Sequence, residues 1–350
     1  MQTVMVNAST AYPVYIGGGL LDRAGELITE VTRSRSCAVI TDSTVEKLYA
    51  ARVCRSLQDA GFRVRLHAFP AGEQSKNLAT YGGMLEFLAE NKLTRSDFVV
   101  ALGGGVVGDM AGFAAATYQR GVDYIQIPTT FLAAADSSVG GKTAIDLTAG
   151  KNLAGAFHQP KMVICDTDAF QSLPPETFAD GMAETLKHGL IADAAFFDFL
   201  MAEDVRARID EVVRRDVEIK ASVVNEDEFE RGKRKLLNFG HTLGHAIEKN
   251  SGFTITHGHA VGIGMVLAAR AGEKLGHTPA GTLDAVLRAN RKHGLPTECP
   301  YTAPEIYAAA TSDKKRDGGS IDVVVLEKIG KAKTVRLDLE GLRNFVEAAL

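Results

Sequence analysis

The sequence predicts an α/β domain built on a parallel, Rossmann-like sheet, followed by a mainly α-helical domain. Three observations carry this. Short apolar runs alternate with helical patterns through residues 1–172, as in a parallel sheet covered on both faces. From Pro174-Pro175 onward, helical runs follow one another. The length of 350 residues is enough for two domains with a sizeable core. The boundary is therefore set near 172, giving domains over 1–172 and 173–350.

Residues 2–7 and 13–16 alternate like two strands, and the Gly17-Gly18-Gly19 turn feeds a helix over 20–32. SCAVITD (36–42) reads as a short apolar strand ending on Asp42, with a helix near 44–60 after it. VRLHAF (64–69) is the next strand, a helix follows around 77–91, and DFVVAL (97–102) is an apolar strand running into GGGVVGD. VDYIQIP (122–128) and MVICD (162–166) complete the strand set. The second domain is read as helices over 175–191, 194–201, 204–225, 234–250, 259–276 and 280–293, a late hairpin within 322–339, and a short terminal helix.

Composition excludes several classes of function. A hydrophobic content of 45%, a charged content of 23% and 35 glycines describe a globular, enzyme-like chain. The net charge of −4 argues against a nucleic-acid partner, so an anionic ligand must be caught by a local basic pocket. Cys37, Cys54, Cys165 and Cys299 are scattered without a C-x-x-C pair, which argues against a disulfide framework or a zinc ribbon and fits a reducing compartment. The N-terminal stretch reads as strands rather than a signal peptide, and no apolar run approaches the roughly 18 residues that span a bilayer. The expectation is a cytoplasmic chain without a membrane partner.

Two stretches carry the chemistry. Between Arg234 and Ala260 lie four of the nine histidines, His241, His245, His257 and His259. His241 and His245 are four apart in a helical run and leave from one face; His257 and His259 flank a glycine just before another helix. One histidine alone reads as an ordinary core or surface residue, but four within nineteen positions read as a metal site. The spacing H-T-L-G-H resembles a zinc-protease helix, yet Thr242 stands where that chemistry needs a glutamate base. Glu184, near the start of the first helix of the second domain, would complete a His2Glu set with an open position; Lys187 and His188 follow it at helical spacing. A plain exposed glutamate is the competing reading.

The other stretch begins after the strand at 97–102. Gly103, Gly105 and Gly108 spell G-x-G-x-x-G, whose helix-start amides suit a pyrophosphate, although a tight strand-to-helix turn explains them equally. No acidic residue ends a strand about twenty positions later, so Asp42 is the better candidate for the adenine ribose. From Gly103 to Pro160 the chain also holds Asp109, Arg120, Thr129, Thr130, DSSVGGK (136–142) and GKN (150–152). Lys142 and Lys151 are read as lying on loops, free to reach a phosphate or carboxylate. Lys220, Arg234 and the Asp313-Lys314-Lys315-Arg316 cluster are further cations that could converge on an anion.

GGGVVGDMAGFAAATYQRG, IPTTFLAAADSSVGGKTAIDLTAGKN, GAFHQP, AETLKHG, RKLLNFGHTLGHAIE and the later DKK together resemble, in order, the pattern of the 3-dehydroquinate synthases, a branch of the sugar-phosphate cyclase family. The resemblance covers nearly the whole chain. It implies a nucleotide-binding first domain, a metal- and substrate-binding second domain and a site in the cleft between them. The metal, zinc or cobalt, would be held by Glu184, His241 and His257. NAD would lie along Gly104, Gly105, Val106, Val107, Gly108 and Asp109, with Asp42, Glu73, Lys76, Thr129, Thr130, Lys142 and Lys151 completing its pocket. Lys142, Lys151, Asn152, Lys187, Lys220, Arg234, Asn238 and Lys314 or Lys315 would contact the substrate's phosphate and carboxylate. Asp136 and His245 would stand near the reacting hydroxyls, and Arg120 would reach a neighbouring subunit of a homodimer.

The implied reaction turns 3-deoxy-D-arabino-heptulosonate 7-phosphate into 3-dehydroquinate and phosphate, a step of the shikimate pathway. Transient oxidation by NAD acidifies the hydrogen next to the new ketone; phosphate leaves, the hydride returns, and an intramolecular aldol step closes the ring. Two departures stand out: His259 replaces the glutamate of the family's H-G-E, and K-T-G-I-N appears as KTAID over 142–146. His259 therefore either tunes the metal's surroundings or competes with His257 as a ligand, while the second change is expected to act only on its loop. The competing functions are a valiolone- or inosose-type cyclase, a metal-dependent polyol dehydrogenase and an inactive binding protein. Asn238, His245 and the Lys314-Lys315 pair favour the dehydroquinate pattern.

Overall fold

A computed structural model describes residues 1–312 and 319–350, arranged as two compact units. The first comprises Met1–Leu173 together with Ile209–Glu228; the second comprises Pro174–Arg208 and Phe229–Leu350.

In the first unit the elements run β1 (Gln2–Asn7), β2 (Ala11–Gly17), α1 (Ala24–Ile28), β3 (Ser36–Asp42), α2 (Ser43–Val45), α3 (Ala51–Asp59), β4 (Arg63–Phe69), α4 (Leu78–Glu90), β5 (Phe98–Gly103), α5 (Gly105–Thr117), β6 (Asp123–Pro128), β7 (Lys142–Leu147), β8 (Gly150–Phe157) and β9 (Met162–Asp166). Seven strands form one sheet in the order β1-β2-β9-β6-β5-β3-β4, parallel except for the β1–β2 hairpin. Every residue of β5 is buried, as a central parallel strand with both faces covered requires. One face packs Leu21, Leu27, Val53 and Leu57 against Val39 and Val100; the other packs Met84, Leu88, Met110 and Ala114 against Ile40 and Val99.

Two expectations change here. The helix expected over 20–32 is a 3-10 turn at Leu20–Arg23 followed by α1, which stops at Ile28. Lys142 and Lys151 do not sit on loops: Lys142 opens β7 and Lys151 lies in β8, and the two strands pair as an antiparallel hairpin. The glycine-rich composition hid that hairpin. Gly155 packs where an added Cβ would lie 2.1 Å from the Thr143 carbonyl oxygen, so glycine there reports close strand approach, not a loop.

After α6 (Pro175–Ala192) and α7 (Ala194–Ala202) of the second unit, the chain enters α8 (Ile209–Glu226). Sequence order assigned this helix to the second domain, but it packs on the first unit. Asn225 accepts the Asn7 N–H at 2.7 Å, Asp210 accepts the Thr167 hydroxyl at 2.6 Å, and Glu228 accepts the Ser9 N–H at 2.7 Å. These bonds span more than 40 residues, so local patterning could not reveal them.

The second unit continues with α9 (His241–Asn250), α10 (His257–Lys274), α11 (Thr282–Lys292), α12 (Ala303–Ser312), β10 (Ser320–Lys328), β11 (Lys331–Asp338) and α13 (Leu339–Ala349). Strands β10 and β11 form the expected hairpin; α12 was not anticipated. The helix expected over 234–250 is broken. A 3-10 turn at Lys233–Asn238 ends at Phe239, and Gly240 takes φ +79° before α9 begins. A left-handed residue costs glycine little, so the chain can re-aim just before His241. Among the described residues no helix is long and apolar enough to cross a membrane.

Candidate functional site

In the first unit, strand order reverses at β3, whose neighbours are β4 on one side and β5 on the other. In open parallel sheets the carboxyl ends of strands at such a point form a ligand crevice. Register pairs Thr41 with Leu102 and Gly103 with Pro128, so Asp42, Gly104 and Thr129 follow one another across adjacent strand ends. Gly104 caps α5 in extended conformation without a side-chain bond, and Gly108 gives the first intrahelical N–H to the Gly104 carbonyl at 3.0 Å, so the amides of Gly105, Val106 and Val107 have no acceptor earlier in the helix. An added Cβ on Gly104 would meet Thr130 at 3.0 Å, and one on Gly105 would meet the Ser137 hydroxyl at 3.2 Å. Val106 is half-buried beside this cradle and Val107 is core. Asp42 already uses Oδ1 to accept the Thr44 and Val45 N–H groups. The arrangement fits a dinucleotide pyrophosphate on the amides.

Lys76 ties this region to the hairpin. Its Nζ lies 2.6 Å from Asp109 Oδ2 and 2.6 Å from Asn152 Oδ1. Burial disfavours its charge, but Asp109, Glu73 and Asp146 more than offset this and hold the ammonium above its ordinary range. Glu73 also pairs with Lys151 at 3.0 Å. Asp146, the departure within KTAID, accepts the Asn152 N–H at 2.8 Å and gives its own N–H to the Lys76 carbonyl at 2.9 Å. It thereby holds Asn152, which adopts φ +55° near the start of β8. Lys142 is exposed at the start of β7. Lys220, buried on α8, pairs with Asp136 at 2.8 Å. Arg120 is exposed, with φ +64°.

The second unit gathers the imidazoles. Glu184, His241 and His257 place one ligand atom each within 4.8 Å of one another. Glu184 Oε1 lies 3.5 Å from His241 Nε2 and 3.3 Å from His257 Nε2. Backbone proximity makes this possible. An added Cβ on Gly264 would sit 2.0 Å from the Gly240 carbonyl oxygen, one on Gly244 3.0 Å from the Ala260 carbonyl oxygen, and one on Gly258 2.3 Å from the Asp180 carbonyl oxygen. Glycine thus lets α9, α10 and α6 approach closely enough for their polar side chains to meet. Two imidazoles and a carboxylate are a donor set suited to zinc or cobalt.

Glu184 is fully buried and pairs with the ammonium of buried Lys187, one helical turn on; His188 is buried too. Burial drives His241 to stay neutral, reinforced by Lys187 although Glu184 opposes it. Burial also opposes charge on His257, but hydrogen bonds with Glu184 and Glu248 prevail and raise it. His245 is exposed, with its ring centroid 5.3 Å from that of His241 and 5.9 Å from that of His257. His259 turns elsewhere: its Nδ1 lies 2.8 Å from Asp180 Oδ1 and its N–H donates to the same oxygen at 3.0 Å. This contact removes the reason to treat it as a rival to His257. Arg234 is buried in the 3-10 turn, and Asn238 donates to Glu230 at 2.6 Å. Asp313, Lys314, Lys315 and Arg316 lie outside the described residues.

Two carboxylates at this site went unread in the sequence. Asp180 holds His259, and Glu248 lies 3.1 Å from His257 Nδ1. A signal for Glu248 existed: it follows His245 by three positions and His241 by seven, so all three share one face of α9.

Two family models match the chain, one for the 3-dehydroquinate synthase N-terminal region over residues 66–180 and one for its C-terminal region over 181–316. A 3-dehydroquinate synthase of Enterococcus faecalis is 43% identical over 352 aligned positions, covering 99% of this chain and 98% of the relative. A 2-deoxy-scyllo-inosose synthase, solved with carbaglucose-6-phosphate, NAD+ and Co2+, is similar over all of both chains, with TM-score 0.89 and 27% identity. The 2-epi-5-epi-valiolone synthase of Streptomyces hygroscopicus, solved with NAD+ and Zn2+, covers 99% of this chain and 97% of its own, with TM-score 0.87 and 27% identity.

Proposed function

Since the chain belongs to the 3-dehydroquinate synthase family, we propose that it converts 3-deoxy-D-arabino-heptulosonate 7-phosphate to 3-dehydroquinate and phosphate. The enzyme would be a carbon–oxygen lyase of the cyclase type, dependent on NAD and on zinc or cobalt. The observation that carries the metal-dependent part of this reading is the convergence of Glu184, His241 and His257 on one donor set. When bound, NAD supplies a transient oxidation and the metal a Lewis acid, so the net reaction leaves NAD unchanged.

The chain's own residues hold and orient. Glu184, His241 and His257 would take the metal, with Lys187 supporting the charge on Glu184. The uncapped first turn of α5 would take the dinucleotide pyrophosphate, with Asp42 toward the ribose and Lys76, Asp109, Thr129 and Thr130 around it. Lys142, Lys151, Asn152, Lys220, Arg234, Asn238 and one of Lys314 and Lys315 would bind the substrate's phosphate and carboxylate. Cations bound to a dianion orient it and stabilise charge developing on the leaving phosphate. Asp136 and His245 would stand by the reacting hydroxyls. Four free cysteines, two of them buried, support a cytoplasmic location, and exposed Arg120 is available to a partner in a homodimer.

The test supplies the heptulosonate phosphate with catalytic NAD and zinc and follows phosphate release. Stoichiometric NADH would instead mark a dehydrogenase. Release from a different sugar phosphate, but not from the heptulosonate, would mark an inosose- or valiolone-type cyclase. Unchanged metal content and turnover in Glu184→Gln would refute the metal assignment.

A further inference from the structure

The geometry points to Glu248 as the positioning residue for His257: its carboxylate holds the imidazole so that Nε2 faces Glu184 and His241. This rests on the metal triad proposed above and assigns a role to a residue outside it. His257 has two ring nitrogens, and both are engaged. Nε2 lies 3.3 Å from Glu184 Oε1, while Nδ1 lies 3.1 Å from Glu248 Oε2. A neutral imidazole carries its proton on one nitrogen and a lone pair on the other. For Nε2 to offer its lone pair to a cation, Nδ1 must keep the proton, and a carboxylate at hydrogen-bond distance selects that tautomer.

Glu248 is suited to this task. It is buried, so little water competes for its oxygen, and it belongs to the same helix as His241. The close approach of α9 to α10, through Gly240 and Gly244 on one side and Ala260 and Gly264 on the other, sets its carboxylate against a ring carried by the neighbouring helix. One helix thus provides a ligand, His241, and the group that aims the second ligand.

The same atoms also belong to a second cluster. His245, Glu248 and His257 also place ligand atoms within 4.8 Å of one another. A cation there would need Nδ1 of His257 deprotonated, and two dications sharing one ring would repel strongly. The hydrogen-bonded arrangement meets neither of these costs.

The experiment strips metal with a chelator and titrates zinc against a chromophoric competitor in wild type, Glu248→Ala and Glu248→Gln. Visible absorption of the cobalt-loaded proteins reports ligand geometry. Wild type should bind one ion per chain. Glu248→Ala should bind it about 10- to 100-fold more weakly with an altered cobalt spectrum, and Glu248→Gln, whose amide oxygen still accepts from Nδ1, should recover most of that loss. An alanine variant with wild-type affinity and spectrum overturns the proposal. So does a wild type that takes two ions per chain and an alanine variant that takes one, since Glu248 is then a ligand. A wild type that binds no zinc overturns the triad itself, and this role with it. If Glu248→Ala does not fold, nitrogen-15 NMR of the histidines in zinc-loaded wild type decides. A proton on Nδ1 of His257 supports the assignment, and metal or no proton on that nitrogen refutes it.

Discussion

Substituting Gly264 by alanine should damage the metal site without touching a ligand. The added Cβ would lie 2.0 Å from the Gly240 carbonyl oxygen and 2.9 Å from the Gly244 nitrogen. Both are backbone atoms, so no side chain can swing aside. Restoring ordinary contact of about 3.4 Å means moving one helix about 1.4 Å relative to the other. His241 is bonded directly to Gly240 and must follow it. Metal–ligand distances tolerate only about 0.2 Å, so a displacement several times larger has to be absorbed by off-rotamer side chains or by a lost ligand. We expect a stability loss of about 1–3 kcal/mol from overpacking and at least about tenfold weaker zinc binding, equivalent to about 1.4 kcal/mol. Thermal unfolding of the metal-free protein and zinc competition titration read the two effects separately. Gly262→Ala is the control. It lies on the same helix, yet its Cβ would meet Leu295 at an ordinary 3.4 Å, so it should be neutral or stabilise by up to about 1 kcal/mol. Gly264→Ala with zinc affinity within twofold of wild type would refute the claim that this crossing sets the site.

Further outcomes follow from the same geometry. Asp146→Asn keeps an oxygen for the Asn152 N–H and should leave kcat/KM within about threefold, whereas Asp146→Ala should lower it by about tenfold, or about 1.4 kcal/mol, in a phosphate-release assay. Gly104→Val should weaken NAD binding at least about tenfold by filling the space before Thr130, with zinc content unchanged; fluorescence titration with NADH and elemental analysis check both. Glu184 and Glu248 together favour the doubly protonated ring of His257, and cation uptake must displace the proton on Nε2, so zinc affinity should fall as pH is lowered, which competition titrations across pH will show. His293, lowered to about 4 by burial despite its 3.1 Å bond to the Leu200 carbonyl, contributes stability that is complete above pH 6.5. That stability is lost as pH falls toward 4, because the unfolded chain takes up the proton first. The shift corresponds to at most about 3 kcal/mol, reduced to about 2 by partial exposure; urea unfolding of His293→Asn should show a shallower pH dependence than wild type over that window.

Much of the molecule was legible in one dimension. Strands such as Phe98–Gly103 and Met162–Asp166 are nearly continuous apolar runs because both their faces are covered. His241 and His245 were legible as neighbours because helical spacing puts them on one face regardless of the rest of the fold. Sequence also carried the glycines of the α5 turn, whose small size is itself the message.

Tertiary structure alone decided what depended on partners distant along the chain. Helix α8 looks like its helical neighbours in sequence, but its Asn225 accepts the Asn7 N–H, and Glu228, two residues past its end, accepts that of Ser9. Lys151 gave no sign of lying in a strand, since the hairpin depends on pairing between β7 and β8 rather than on propensity. Which histidines meet Glu184, and that His259 turns to Asp180 instead, follows from how closely α6, α9 and α10 pack. Spacing fixes the direction in which a side chain leaves its own helix; only the contact between helices fixes what it reaches.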